Sequence, residues 1–256
     1  MRSLALLLLS ILTVPAALAG AVLKIDRKDS GKTVPHEVYY AQDGMLRVDS
    51  VDERGTVQSM DVVRDGVIWE VNMRERTFSR VDANSMKQMM GDKTSQFDAA
   101  LAQLPPEQRA AIQAQLAQTR QRSSDDNGPV FSDTGRTDQV GQYSCRIWTE
   151  AHEGKPFAEY CVVPTSNLPA GNELADAMKK AYATVTQAFS GIPEAAASTA
   201  YLRRIEKMHG FPARRRSLGA SEAQDEDQNV LASAEARTLP ADQFAIPKGF
   251  TEKPLR

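Results

Sequence analysis

The stretch Asp61–Asp82, DVVRDGVIWEVNMRERTFSRVD, decides the fold. Asp65-Gly66 splits an apolar run in two, and this dipeptide supplies the positive φ that a two-residue hairpin turn needs. Asn72 to Arg76 forms a second turn before Thr77–Val81. The middle segment shows period two. Val67, Trp69, Val71 and Met73 fall on one face, Glu70, Asn72 and Arg74 on the other, and Ile68 breaks the pattern. Upstream the same grammar repeats. Strands are predicted over Val22–Lys28, Val34–Ala41, Met45–Val51 and Val57–Arg64, with turns at Asp43-Gly44 and Glu53-Arg54-Gly55. A strand about every ten residues predicts an antiparallel meander.

The pattern changes at Asn84. From Ser85 to Arg122 the chain is rich in Ala, Gln and Met at helical spacing, interrupted by Leu104-Pro105-Pro106-Glu107. Pro106 suits the first turn of a second helix and Glu107 its dipole. Residues 85–122 therefore read as a helical hairpin inserted between strands. Its second helix has only Ile112 and Leu116 as large apolar residues, which predicts a mobile lid or docking arm. Strands resume at Val130–Val140, Gln142–Ala151 and Phe157–Val163. Glu173–Ser190 carries an apolar stripe of Leu174, Met178, Ala181, Tyr182, Val185 and Phe189. A helix over Ala195–Met208, strands over Phe211–Leu218 and Val230–Leu239, an acidic loop between them and LPADQFAIPKGF complete the pattern. With no repeat and no linker, residues 20–256 read as one domain.

Residues 1–19 read as a cleaved secretory signal: Arg2, an apolar run from Leu4 to Val14, and Ala17-Leu18-Ala19 before a cut at Gly20 or Ala21. No Cys follows the cut to carry a lipid, and the apolar run is too short for a stop-transfer helix. A periplasmic or secreted location without stable membrane insertion is expected. The net charge of −2 supplies no basic field for nucleic acid or an anionic membrane.

The chain has two cysteines, Cys145 and Cys161, flanking YSCRIWTEAHEGKPFAEYC. A pair in an oxidising compartment predicts one disulfide. A hairpin centred on Glu153, within the turn Glu153-Gly154-Lys155-Pro156, would set Cys145 opposite Cys161, Ile147 opposite Glu159 and Thr149 opposite Phe157. The spacing is not that of a redox or metal thiol motif.

Chemical constellations are sparse. His36, His152 and His209 are scattered along the chain, and neither a His-Glu-x-x-His helix nor a Gly-x-Ser-x-Gly elbow occurs. Ser30-Gly31-Lys32-Thr33 lacks the first glycine of a phosphate loop and joins two strands, so it reads as a turn. Met86, Met89 and Met90 lie on one helix, preceded by Met73. Thioethers can hold cuprous copper, yet methionine at helical spacing is the signature of flexible packing. No metal, cofactor or catalytic residue is assigned. Arg214-Arg215-Arg216 alternates faces and reads as an ion-paired sheet edge, neutralised by Glu222, Asp225, Glu226 and Asp227.

GMLRVDS, DVVRDGVIWEVNMRERTFSRVD, LPPEQRA, YSC…YCVVP and FAIPKGF together resemble an uncharacterised bacterial family, the domain-of-unknown-function family numbered four-four-one-two. That family is similar in layout to the periplasmic lipoprotein carriers. The resemblance implies a strongly curved, incompletely closed antiparallel sheet with helices on its concave side. It implies no catalytic residue. Arg47 in GMLRVDS stands where a carrier-type arginine latch would be sought.

The expectation is thus an α+β fold, an incomplete β-barrel with a helical layer on the concave side. The expected function is non-enzymatic binding of an apolar ligand, an acyl chain or lipid, or of an envelope protein partner. Trp69, Val71 and Met73 would line the concavity, with Met86, Met89 and Met90 closing over it. The alternative is a structural or envelope-stress interaction module with a filled core and no ligand.

Overall fold

The computed structural model describes residues 19–29, 32–124, 129–190, 192, 196–218, 228–240 and 242–255. The expected leader before Ala19, the Ser30-Gly31 turn, the loop at 125–128 and the acidic residues Glu222, Asp225, Glu226 and Asp227 lie outside the described residues.

The first six strands are β1 (Gly20–Asp29), β2 (Lys32–Gln42), β3 (Met45–Val51), β4 (Val57–Arg64), β5 (Val67–Asn72) and β6 (Thr77–Val81). The helical hairpin follows as α1 (Ala83–Ala102) and α2 (Pro106–Ser124). Next come β7 (Val130–Val140), β8 (Tyr143–His152), β9 (Lys155–Val163), α3 (Gly171–Ala188), α4 (Ala196–Glu206), β10 (Phe211–Ser217), β11 (Gln228–Arg237) and the two-residue β12 (Thr251–Glu252). All twelve strands join one sheet in the order β12-β6-β5-β4-β3-β2-β1-β11-β10-β9-β8-β7. Its edges, β7 and β12, do not meet, so the sheet is open. The fold is mixed α and β, dominated by this antiparallel sheet. No described helix is long and apolar enough to cross a membrane.

Cross-strand partners share a face, so the register sorts β1–β6 into rows. One face carries Ala21, Ala41, Leu46, Val63, Ile68 and Val81 in its first row, all apolar. The second row of this face is Leu23, Tyr39, Val48, Asp61, Glu70 and Ser79. The third is Ile25, Glu37, Ser50, Ser59, Asn72 and Thr77. This face carries α3, which meets β1 through β5. The opposite face carries Val22, Tyr40, Arg47, Val62, Trp69 and Arg80, then Lys24, Val38, Asp49, Met60, Val71 and Phe78.

Of the predicted stripe, helix α3 buries Leu174 and Ala181 and half-buries Tyr182 with the rest, since its buried line runs through smaller residues. Leu174, Ala177, Ala181, Thr184 and Ala188 are buried, whereas Met178, Val185 and Phe189 are half-buried. Alanines let the helix axis lie close to the sheet. The helix starts two residues before the predicted Glu173, because Gly171 abuts the Thr165 carbonyl where a Cβ would lie at 1.6 Å. The Asp43-Gly44 turn docks on this helix, and the Asp43 amide donates to Glu173 Oε2 at 2.9 Å. In the hairpin, Asp82 caps α1 by accepting from the Asn84 and Ser85 amides, and the Ser85 amide is the main reason its carboxyl sits below the usual range. Arg109 of α2 donates to the carbonyls of Leu101, Ala102 and Leu104, closing the break between the helices.

Cys145 and Cys161 form the disulfide, with a Cα–Cα distance of 5.3 Å. The expected register needs correction. Ile147, not Cys145, lies opposite Cys161, and Thr149 lies opposite Glu159. The turn is centred between Glu153 and Gly154, one residue off the expected pairing, and a bulge at Phe157 adds a second, so the disulfide joins diagonal neighbours.

The arginine run also needs correction. Alternation holds, but β10 lies between β9 and β11 and is not an edge. Arg214 pairs with Asp138, and Arg216 shares Glu159 with Arg136. On the other side Arg215 Nε donates to Tyr160 Oη at 3.2 Å, and that hydroxyl donates to Glu150 Oε2 at 2.6 Å. Glu150 is only 3% exposed, so this chain of hydrogen bonds satisfies a buried carboxylate. Burial and the Glu150 bond hold the Tyr160 hydroxyl well above its ordinary range.

Three stability outcomes follow from this structure. Leu174 is 0% exposed, and Leu174→Ala should lower unfolding free energy by about 2–5 kcal/mol in urea titration. Phe97 is 43% exposed, and Phe97→Ala should change it by less than about 0.5 kcal/mol. Replacing both cysteines by Ala opens a loop with a sequence separation of 16 and should cost about 3 kcal/mol in the same assay.

Candidate functional site

The six expected ligand-binding residues do not share a cavity. Trp69, Val71 and Met73 pack in one cluster with Val22, Met60, Val62 and Phe78, on the face away from α3. Phe78 meets Trp69 edge-on at 5.8 Å. The chain after β11 covers this cluster: Leu239 and Phe244 are buried in it, and Ile246 and Phe250 pack against it. Met86 and Met89 belong to a different cluster, with Ile68, Val81, Ala188 and Phe189, on the face that carries α3. Met90 is half-buried and joins neither cluster. The expected arrangement fails for a simple reason. Strand alternation sends Trp69 and Ile68 to opposite faces, and α1 starts on the Ile68 side. The same separation prevents Met73 from sharing a copper site with the helix methionines. Among the described residues, no group of three His, Cys, Asp or Glu could hold a metal ion.

The open recess lies elsewhere. Where the second and third rows of the α3 face turn polar, Ser59, Asp61, Glu70, Asn72, Thr77 and Ser79 line a cavity of about 550 Å³. Glu75, Lys253 and Leu255 complete its rim. The Asp65-Gly66 turn sets this arrangement, because a two-residue connection places Asp61 opposite Glu70 and Ser59 opposite Asn72. Two carboxylates thus stand side by side, and Glu37 lies on the same face.

Asp61 is an exposed residue whose carboxyl lies among the groups that line the recess. Desolvation there, then the nearby charges of Glu70 and Glu37, push its carboxyl up to about 6. The Tyr39 hydroxyl donates to Glu37 Oε2 at 2.6 Å, and burial followed by that carboxylate holds it well above the ordinary tyrosine range. Asp61, Glu70 and Glu75 thus give the recess an acidic side, met by Lys253 and by the apolar Val71, Phe78, Pro254 and Leu255.

Sequence reasoning missed this site although one signal was present. The polar positions of Val67–Met73 were legible, and counting back through Asp65-Gly66 gives their partners. The part that no local pattern reveals is the return of Lys253 and Leu255 to the same rim.

No family model and no curated protein matches the chain. Among solved structures it is similar to an uncharacterized conserved protein from Thermus thermophilus, at 7% identity and a TM-score of 0.45, covering 92% of this chain and 90% of that one. It is also similar to PNGF-II in two crystal forms, at 8% and 7% identity and TM-scores of 0.39 and 0.42. In both PNGF-II comparisons 92% of this chain aligns with 31% of the other.

The raised acid has a measurable consequence. An Asp titrating near 6 in the folded chain and near 4 when unfolded makes the native state hold the extra proton between those values, so stability falls as pH rises from about 4 to 6. NMR titration of the Asp61 carboxyl should read about 6. Glu70→Gln should lower that value, and Asp61→Asn should flatten the stability profile across the window.

Proposed function

We propose that this chain is an exported, non-catalytic interaction module with a filled core. One observation carries this reading: both apolar faces of β1–β6 are covered by the chain itself, by α3 and α1 on one side and by Leu239, Phe244, Ile246 and Phe250 on the other. An acyl carrier needs an empty apolar pocket. The recess beside Asp61 is lined by Asp61, Glu70 and hydrogen-bonding side chains, with Val71, Phe78, Pro254 and Leu255 also on its wall. The finer architecture belongs to the same proposal. The sheet curls around α3 as an incomplete barrel, a reading supported by the reach of α3 across five strands and by Tyr39 of β2 meeting Phe211 of β10 edge-on at 5.5 Å.

Export is supported by the opening of β1 at Gly20, directly after the proposed cut at Ala19, and by a buried disulfide that suits an oxidising compartment. The carboxylate pair has an account without catalysis. Neighbouring like charges and desolvation raise Asp61, and no nucleophile is needed to explain it.

Titration of the mature chain with a fluorescent fatty-acid probe tests the reading, with mass spectrometry of the protein recovered from the cell envelope. The expected results are no saturable probe binding up to its solubility, and a mass beginning at Gly20 or Ala21 with Cys145 and Cys161 oxidised. Saturable binding weakened by Trp69→Ala or Met89→Asp in a folded protein would restore the carrier. A mass retaining residues 1–19 would overturn export.

A further inference from the structure

The covering segment does not stay on one face. After Phe250 it rounds the sheet edge, and Thr251 and Glu252 pair in parallel with Thr77 and Phe78 of β6. The Thr251 amide donates to the Arg76 carbonyl at 3.1 Å, and the Lys253 amide donates to the Phe78 carbonyl at 2.8 Å. Alternate amides thus bond alternate carbonyls, as in a parallel ladder. Ser79 Oγ donates to the Lys253 carbonyl at 3.0 Å. Lys253 Nζ reaches Glu75 Oε2 at 2.8 Å, on the rim that Asp61 and Glu70 share. Pro254 has no amide to donate. Leu255 then packs against the buried Ile68, Val81, Met86 and Ala188, which form the notch at this edge.

We propose that the β6 edge, the acidic recess and this notch form one peptide-binding groove, and that residues 251–255 occupy it in cis. Its ligand class is an extended peptide added as a strand to β6, with a basic residue in the acidic part and a large aliphatic residue two positions later in the notch. Main-chain bonds supply affinity in this mode, and pockets for spaced side chains supply selectivity. Several features set the groove apart from ordinary core packing. The pairing is only two residues long, whereas β6 runs for five. The seated side chains are half-buried or exposed. The segment is anchored upstream by Leu239, Phe244 and the Gln243 carbonyl, so 251–255 can leave without uncovering the face behind it. A partner segment of the same chemistry would displace it, so the cis segment acts as a built-in competitor.

This inference rests on the interaction-module reading. The test uses the mature chain, a version truncated after Phe250, and a full-length Thr251→Pro, Leu255→Asp variant, which loses one ladder donor and the aliphatic anchor. The probe is a fluorescein-labelled peptide of sequence FTEKPL, read by polarisation, with fold checked by circular dichroism. Both altered chains should bind the probe saturably and at least about tenfold more tightly than the mature chain, a difference of about 1.4 kcal/mol. Peptides with Lys→Glu or Leu→Asp should lose most of that binding, and Glu70→Gln in the truncated chain should weaken it. In the mature chain, excess unlabelled peptide should speed amide exchange at Lys253. A folded open chain that fails to bind, or binds a scrambled peptide equally, overturns the groove and leaves the module reading intact. Fatty-acid binding in the same chains overturns the module reading itself.

Discussion

Asp49 lies in the middle strand of the β1–β5 meander and is 1% exposed. A carboxylate there must be paired or the strand cannot be buried. Arg47 meets it through two guanidinium nitrogens, with Nε at 2.6 Å and Nη2 at 2.8 Å. The remaining arm, Nη1, donates to the Gln243 carbonyl at 2.8 Å, and the guanidinium lies over the Tyr40 ring. One planar cation thus satisfies a buried acid, packs on an aromatic and holds a segment almost two hundred residues later. The position sought for a ligand latch carries a structural clamp. Removing Arg47 alone would leave the buried Asp49 without its cation, whereas two apolar residues of similar volume could fill the site at lower cost.

The clamp explains why the exposed part of the molecule is polar. With Arg47 holding the covering segment, the Trp69 face is closed and its aromatic residues become core. On the other side α3 covers only the apolar rows, since its own apolar stripe is narrow and rich in alanine. The rows beyond it must meet water. They carry Asp61, Glu70, Ser79, Ser59, Asn72 and Thr77 for that reason. The recess is the boundary between the width that one helix can cover and the width of the sheet.

Local features were legible where a turn sets the geometry. Asp43-Gly44 and Asp65-Gly66 have positive φ at both residues, and the strands around them lie where alternation predicts. The helical break at Leu104-Pro105-Pro106 and the α3 stripe were legible for similar reasons. Three things were not. The exact centre of the turn and the bulge at Phe157 each move the register by one residue and leave no mark in composition, so the disulfide register slipped by two. The place of β10 inside the sheet depends on β11 pairing with β1, a contact between distant segments. The sequence after β11 has no period, because Leu239, Gln243, Phe244 and Lys253 are each held by a different partner.

That last point also accounts for the misassigned methionines. Trp69, Val71 and Met73 have the alternation of a lining strand, and Met86 and Met89 have the spacing of a covering helix. Both patterns are real, and both sets are packed. Which face each set joins depends on the single residue Asp82. It ends β6 and caps α1 within one step of Val81, which points toward α3. A helix capped at that residue starts on the Val81 side, so its first buried methionine meets Ile68, not Trp69. Parity at one strand end therefore decides between a lined cavity and two separate cores. The consequence reaches the recess, since α1 and α3 on the Val81 side wall the notch in which Leu255 sits beside Asp61 and Glu70.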